Sequence, residues 1–190
     1  LSPVPKDGRR DIGNLEEHTL GYIYIQEASS MIPPLVLEPK ENEIILDMCA
    51  SPGSKTTQIG QYLNNTGMLI ANDYKGDRLA ALGINVKKTG LTNCVLTMME
   101  GRHFIKFKEQ PIFDRILVDA PCSGTGNIRR SIKTLTIWNP DMVKRLSGIQ
   151  KLLLRTGFEI LKPGGTLVYS TCTLEPEENE GVVDSLLEKY

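Results

Sequence analysis

The chain has 190 residues, 40% hydrophobic and 24% charged, with 22 basic and 23 acidic side chains and a formal net charge of −1. That length suits one domain around a single core, in a composition ordinary for a soluble fold. The balanced charge argues against indiscriminate polyanion binding while permitting a local basic surface, and no apolar run approaches the roughly 20 residues of a bilayer span.

In chain order, residues 1–20 are polar, punctuated by Pro and Gly, and read as irregular. They lack the apolar core of a signal peptide and begin without Met, which suggests a fragment. Tyr22–Ile25 reads as a short strand, and Ser29–Leu37 as a helix with hydroxyls at its start and prolines near its first turn. Five β-rich runs follow: Glu43–Asp47, Met68–Asn72, Cys94–Met98, Asp114–Asp119 and Thr166–Ser170. Most are nearly continuous in apolar residues, as in strands covered on both faces.

Helical patterns lie between these runs, at Lys55–Leu63 and at Asp77–Lys88, the second stopped near Gly90. The longest helix is predicted to start at Asn139-Pro140-Asp141, a cap followed by proline, with apolar residues at helical spacing to Ile160. Lys162-Pro-Gly-Gly165 then turns into the fifth strand. Asn127–Trp138 is one long structureless connection, a candidate lid or binding loop. Repeated strand–helix units imply right-handed crossovers and a doubly wound, mainly parallel α/β sheet.

Asp47 to Thr56 spans a strand-to-helix turn of small residues: Ala50, Ser51, Pro52, Gly53 and Ser54. Such a turn lets backbone approach a ligand, and the helix start offers free N–H groups to an anion. An ordinary tight turn is the alternative for this segment alone. A triphosphate P-loop would need glycines at 49 and 54, where Cys49 and Ser54 stand, and no G-x-G-x-x-G loop is present. Asp73 closes the second strand, where a carboxylate can take both hydroxyls of a cofactor ribose or cap a helix.

The four cysteines, at 49, 94, 122 and 172, show no Cys-x-x-Cys, and there are two histidines. This pattern disfavours a metal site, gives no disulfide framework and suits a reducing, cytoplasmic setting. Cys49 and Cys94 read as structural thiols. Cys122 and Cys172 differ because each lies at the carboxyl end of a predicted strand, where ligands of such sheets bind. The acids after Cys172 fit a helix start, whose dipole would favour a thiolate that the acids themselves oppose.

Asp119-Ala-Pro-Cys122-Ser-Gly, followed by Ser170-Thr-Cys172, resembles the RNA cytosine-5 methyltransferases of the RsmB/NOP class. The resemblance runs from about Gly21 to the last residue and includes Gln26–Met31, Asp47–Thr56, Asp73 with Arg78, and Leu161–Val182. It implies a Rossmann-like methyltransferase domain over 1–190, with S-adenosylmethionine as cofactor. It further implies that Cys172 attacks C6 of cytosine, that Cys122 assists its release, and that Asp119 binds the cytosine edge. Cys49 to Lys55 would line the methionine and ribose portion, with Asp73 on the ribose and Arg78 and Glu100 helping to fix the cofactor. Arg129, Arg130 and Lys133, with Trp138 beside them, are candidate RNA contacts or a solvated basic loop.

The chain departs from the family pattern in three places. Ser54 stands for a usual glycine and would need a permissive backbone angle or an altered turn. Glu100 stands for a usual aspartate. Two further strands of a full methyltransferase sheet, one antiparallel, are not in this sequence. The segment around Ser29–Pro34 resembles archaeal members acting on transfer RNA, which favours transfer RNA over ribosomal RNA. The rival chemistry is that of DNA cytosine-5 methyltransferases, whose Pro-Cys thiol, here Cys122, is the nucleophile.

Overall fold

The computed structural model describes residue 13 and residues 15–190. Five parallel strands form one sheet: β1 (Ile44–Asp47), β2 (Met68–Asp73), β3 (Cys94–Met98), β4 (Phe113–Asp119) and β5 (Leu161–Ser170), in the order β3-β2-β1-β4-β5. The chain therefore starts in the middle, winds outward to β3, and crosses back to β4 and β5. This is the doubly wound α/β arrangement that the alternation predicts.

Alternation of side chains along the central strands builds two cores. Leu46, Ile116 and Val118 face one way, with Phe104, Phe113, Leu153 and Ile160. Ile45, Leu69 and Leu117 face the other, with Leu37, Ile59 and Leu63. Phe113 is fully buried, its ring edge-on to those of Phe104 and Phe107.

The helices that cover these faces follow their local sequence. α1 (Glu16–Thr19) is a single turn, α2 (Ile32–Leu37) follows a 3-10 turn over Ala28–Met31, and α3 (Ser54–Leu63) leaves β1. α4 (Gly76–Lys88) ends near Gly90, which takes φ +72°. A short α5 (Lys133–Ile137) precedes α6 (Pro140–Ile160), and α7 (Glu180–Leu187) closes the chain. Asn139 caps α6 as its sequence predicts, its side chain accepting from the Met142 amide at 2.8 Å, with Pro140 in the first turn.

Five local expectations change. Tyr22–Ile25 forms no strand: it opens on a bend at Tyr22, is irregular beyond it and pairs with no strand among the described residues, and α1 lies within the stretch read as irregular. The rest of that stretch, 1–12 and 14, falls outside the described residues. β3 is an edge strand with Met98 64% exposed, so its apolar run marks an open face rather than double coverage. The connection after Cys122 contains a 3-10 turn at Thr125–Asn127 and α5. Finally, β5 starts at Leu161: pairing with β4 jumps from Phe113↔Leu161 to Arg115↔Thr166, so Lys162–Gly165 bulge out within the strand.

Candidate active site

The parallel register brings Asp47, Asp73, Asp119 and Ser170 to the carboxyl ends of neighbouring strands. Ligands of open α/β sheets bind outside these ends, and two cavities open there. One, of about 770 Å³, runs from Asp73 and Glu100 to Asp119, Cys122 and Cys172. The other, of about 490 Å³, is lined by Lys55, Asp119, Cys172, Ser30 and the Arg129–Arg130 loop. Asp119, Ala120 and Cys172 line both, so they stand where the two cavities meet.

The turn after β1 is shaped by glycine and cross-bracing. Gly53 takes φ +107° at the start of α3, a region closed to most side chains. Ser54 therefore needs no unusual angle: it is the first helical residue, and its hydroxyl donates to Gln26. The departure from the family pattern at this position is accommodated. Ser51 and Arg78 exchange two bonds, the guanidinium on the Ser51 carbonyl at 2.8 Å and the Ser51 hydroxyl on the Arg78 carbonyl at 3.0 Å.

Asp73 is almost fully buried yet faces the larger cavity. It accepts from the Ser51 and Lys75 amides at 3.3 and 3.2 Å, with Arg78 3.5 Å away. Each carboxylate oxygen has two acceptor sites, which leaves capacity for a ligand's hydroxyls. Glu100 stands on the same cavity and pairs with Arg102 at 2.6 Å. Leu146, Ile149, Leu152 and Leu153 of α6 supply an apolar wall beside them. An acid at the end of β2, an apolar slot and a backbone-lined turn fit a nucleoside with a charged tail.

The first turn divides its labour. Cys49 and Ser51 line the larger cavity, whereas Ala50, Pro52, Gly53 and Ser54 set the shape of the loop. Lys55 reaches the other way, to Asp119 at 2.6 Å, and lines the smaller cavity. The second Asp119 oxygen accepts from Ser170 at 2.7 Å, so both oxygens are oriented. Asp47, wholly enclosed, accepts from Thr56 at 2.7 Å, and burial pushes its carboxyl up to about 7. It ties β1 to α3.

The Cys122 and Cys172 sulfurs are 3.1 Å apart, and the Cys172 amide donates to the Cys122 sulfur at 3.3 Å. A thiol hydrogen bond from Cys122 pushes Cys172 down to about 7, with Lys55 assisting while burial and the Asp119 charge oppose. The same contact, reinforced by burial, pushes Cys122 up. The contact thus drives the two thiols in opposite directions, Cys172 down and Cys122 up. Burial pushes Cys94 up to about 12 and also raises Cys49, which disfavours the thiolate at both. Hydrogen bonding and Lys55, rather than the dipole of α7, lower Cys172: α7 starts only at Glu180.

At the rim, Arg129 lies 3.8 Å from Glu27, and Arg130 forms an ion pair with the same carboxylate. Both arginines line the smaller cavity, whereas Lys133 sits on α5 away from its lining. Trp138 is tethered to Glu175 at 3.0 Å and does not line it either. Sequence reasoning missed Glu178, taken for one more helix-start acid, and Gln150. Glu178 is completely buried and accepts from the Ser123 amide at 3.0 Å. Gln150 carried a readable signal: a polar residue in the apolar stripe of α6, four after Leu146 and three before Leu153.

The profile of the 16S rRNA methyltransferase RsmB/F family matches residues 34–190. The chain belongs to that family. It is 51% identical over 93% of its length to a tRNA (cytosine(49)-C(5))-methyltransferase of Pyrococcus abyssi, of which it covers 56%. It is 45% identical over its whole length to ribosomal RNA small subunit methyltransferase F of Shewanella oneidensis, covering 42% of it. The crystal structure of NSun6 from Pyrococcus horikoshii with SFG superposes with a TM-score of 0.85 at 38% identity, over 95% of this chain and 46% of that one. The chain thus spans about half the length of the curated relatives it matches. Among the described residues no helix is long and apolar enough to cross a membrane, and no cluster of His, Cys, Asp and Glu is arranged to hold a metal ion.

Proposed function

We propose that this chain carries the catalytic site of an S-adenosylmethionine-dependent RNA methyltransferase that forms 5-methylcytosine through a Cys172–C6 bond. The observation that carries the reading is the pair of thiols 3.1 Å apart, beside Asp119, where two cavities meet. S-adenosylmethionine, when bound, supplies a methyl group on an electrophilic sulfonium. Asp73 would hold its ribose, the apolar wall of α6 its adenine, and the turn at Cys49–Ser51 its methionine portion.

C5 of cytosine is a poor nucleophile until C6 carries an anchor. Cys172, ionised near neutrality, supplies that anchor by adding to C6. Asp119, held by Lys55 and Ser170, would bind the cytosine edge and stabilise the polarised ring. After C5 is methylated, a base takes the C5 proton, the C5=C6 bond re-forms and Cys172 leaves as a thiolate. Cys122 donates its S–H to the departing sulfur. Arg129 and Arg130, which pair with Glu27 and line the smaller cavity, would exchange that carboxylate for RNA phosphates on entry. The Pyrococcus abyssi relative that acts on tRNA, at 51% identity, supports transfer RNA as the substrate.

The reading is tested by incubating the protein with methyl-tritiated S-adenosylmethionine and pooled cellular RNA, then analysing nucleosides. Label in 5-methylcytidine is expected, and label confined to other nucleosides would refute it. Cofactor affinity checks the larger cavity: Asp73→Asn should weaken S-adenosylmethionine binding by about tenfold to a hundredfold in calorimetry, the scale of hydrogen bonds to a charged acceptor.

The pH dependence has a definite sign. An unshifted thiol at 9.0 is only about 1% ionised at pH 7, whereas a thiol at about 7 is roughly half ionised. Adduct formation should therefore rise about tenfold per pH unit below neutrality and level off above about pH 8. In Cys122→Ala the midpoint should move up, because the hydrogen bond that lowers it is gone. Stopped-time gels over pH 5.5–9.5 measure both.

A further inference from the structure

Cys122 lies on a loop, and loops are held less firmly than the elements they join. Here the residues on either side of it are clamped. Gln150 of α6 is fully buried and uses both N–H bonds of its amide: one on the Pro121 carbonyl at 2.8 Å, the other on the Glu178 carboxylate at 2.7 Å. Glu178 in turn accepts from the Ser123 amide at 3.0 Å. The carbonyl before Cys122 and the amide after it are thus fixed by one two-residue bridge. Tyr169 anchors the far end, its hydroxyl donating to the Glu178 carbonyl at 2.6 Å.

The cost of this arrangement is informative. Glu178 is an entirely enclosed carboxylate whose partners are amides, with no cation within ion-pair distance among the described residues. Apolar side chains of similar volume would fill that space more cheaply. What the polar pair adds is control of position. A sulfur–sulfur hydrogen bond at 3.1 Å is lost if the loop shifts by an ångström, and misplacements of that size can cost a hundredfold in rate.

We infer that Gln150 and Glu178 are positioning residues that keep the Cys122 thiol on the Cys172 sulfur, so that the RNA adduct is released. The inference rests on the reading of Cys172 as nucleophile and Cys122 as its release partner. In the release step a base, solvent water in the simplest case, takes the C5 proton. The C–H electron pair becomes the C5=C6 bond, and the C6–sulfur pair returns to Cys172, where the S–H of Cys122 stabilises the thiolate. Loosening the loop weakens that stabilisation without removing either thiol.

The test uses the nearly isosteric Gln150→Leu and the conservative Glu178→Gln, with Cys122→Ala as reference. Each is incubated with S-adenosylmethionine and pooled transfer RNA, and denaturant-resistant protein–RNA complex is followed in time at pH 6–9. Gln150→Leu should lengthen the adduct half-life by about tenfold to a hundredfold and move the pH midpoint of adduct formation upward. Glu178→Gln, which retains an acceptor, should do so less. A merely structural role would lower the amount of active protein and leave half-life and midpoint unchanged.

Wild-type half-life and midpoint in a folded Gln150→Leu overturn the inference. If that variant does not fold, Glu178→Gln is judged by the same two readouts. Absence of adduct from Cys122→Ala itself would locate the failure in the underlying reading, and the inference falls with it.

Discussion

Cys122→Ala will hold RNA covalently after methyl transfer, and Cys172→Ala will hold none. The two sulfurs are 3.1 Å apart, yet their environments set them on opposite sides of the ordinary cysteine range. Cys172 is pushed down to about 7 and is the exposed member of the pair, so roughly half of it is available to substrate as thiolate at neutral pH. Cys122 is pushed up and keeps its proton. Removing Cys172 takes away the anchor on C6, and methylation should fall on the order of 10⁴-fold or more, as when other covalent nucleophiles are deleted. Removing Cys122 leaves attack possible, at a higher pH midpoint, and leaves the adduct without its release partner. Intact-mass measurement after incubation with S-adenosylmethionine and pooled cellular RNA reads both outcomes. The double variant Cys122→Ala with Cys172→Ala must lose the adduct. A stable adduct in Cys172→Ala instead would make Cys122 the attacking thiol, the order used by DNA cytosine-5 methyltransferases.

Much of this site could be read from the sequence because its parts sit where the chain changes state. Asp47, Asp73, Asp119 and Ser170 each end a strand, and strand ends are marked by a switch from apolar runs to small and polar residues. In a parallel sheet such ends share one edge, so a local signal predicts a tertiary cluster. What was not legible depended on distance or on pairing. Tyr22–Ile25 has the composition of a strand, but β-propensity reports fit to a pleated surface, and among the described residues no strand pairs with it. Met98 looked like an inner strand residue because an apolar run does not say which strand is at the edge. Glu178 was hidden among Glu175, Glu177 and Glu180, and only the packing of α6 against the segment before α7 shows which acid turns inward. Lys55 stands at the start of α3, where a helix suits anion binding, yet its partner is Asp119, 64 residues away.

Asp119→Asn will separate ring activation from thiol activation. Asp119 opposes ionisation of Cys172, so neutralising it should move the pH midpoint of adduct formation below about 7. If the carboxylate served only to tune the thiol, the variant would therefore be faster than wild type in mild acid. The geometry argues for the opposite. Lys55 at 2.6 Å and Ser170 at 2.7 Å aim the carboxylate into the junction of the two cavities, where a cytosine edge would lie against Cys172. Asparagine at this position keeps one acceptor oxygen but turns an N–H group toward either the Lys55 ammonium or the Ser170 hydroxyl. The pair is partly exposed, so the expected loss in fold stability is small. The loss in catalysis is not. Removing a preorganised group that meets developing charge costs about 10²–10³-fold, and the plateau rate of Asp119→Asn should fall by that amount even as its midpoint drops. A plateau within twofold of wild type would leave Asp119 as a partner of Lys55 and nothing more.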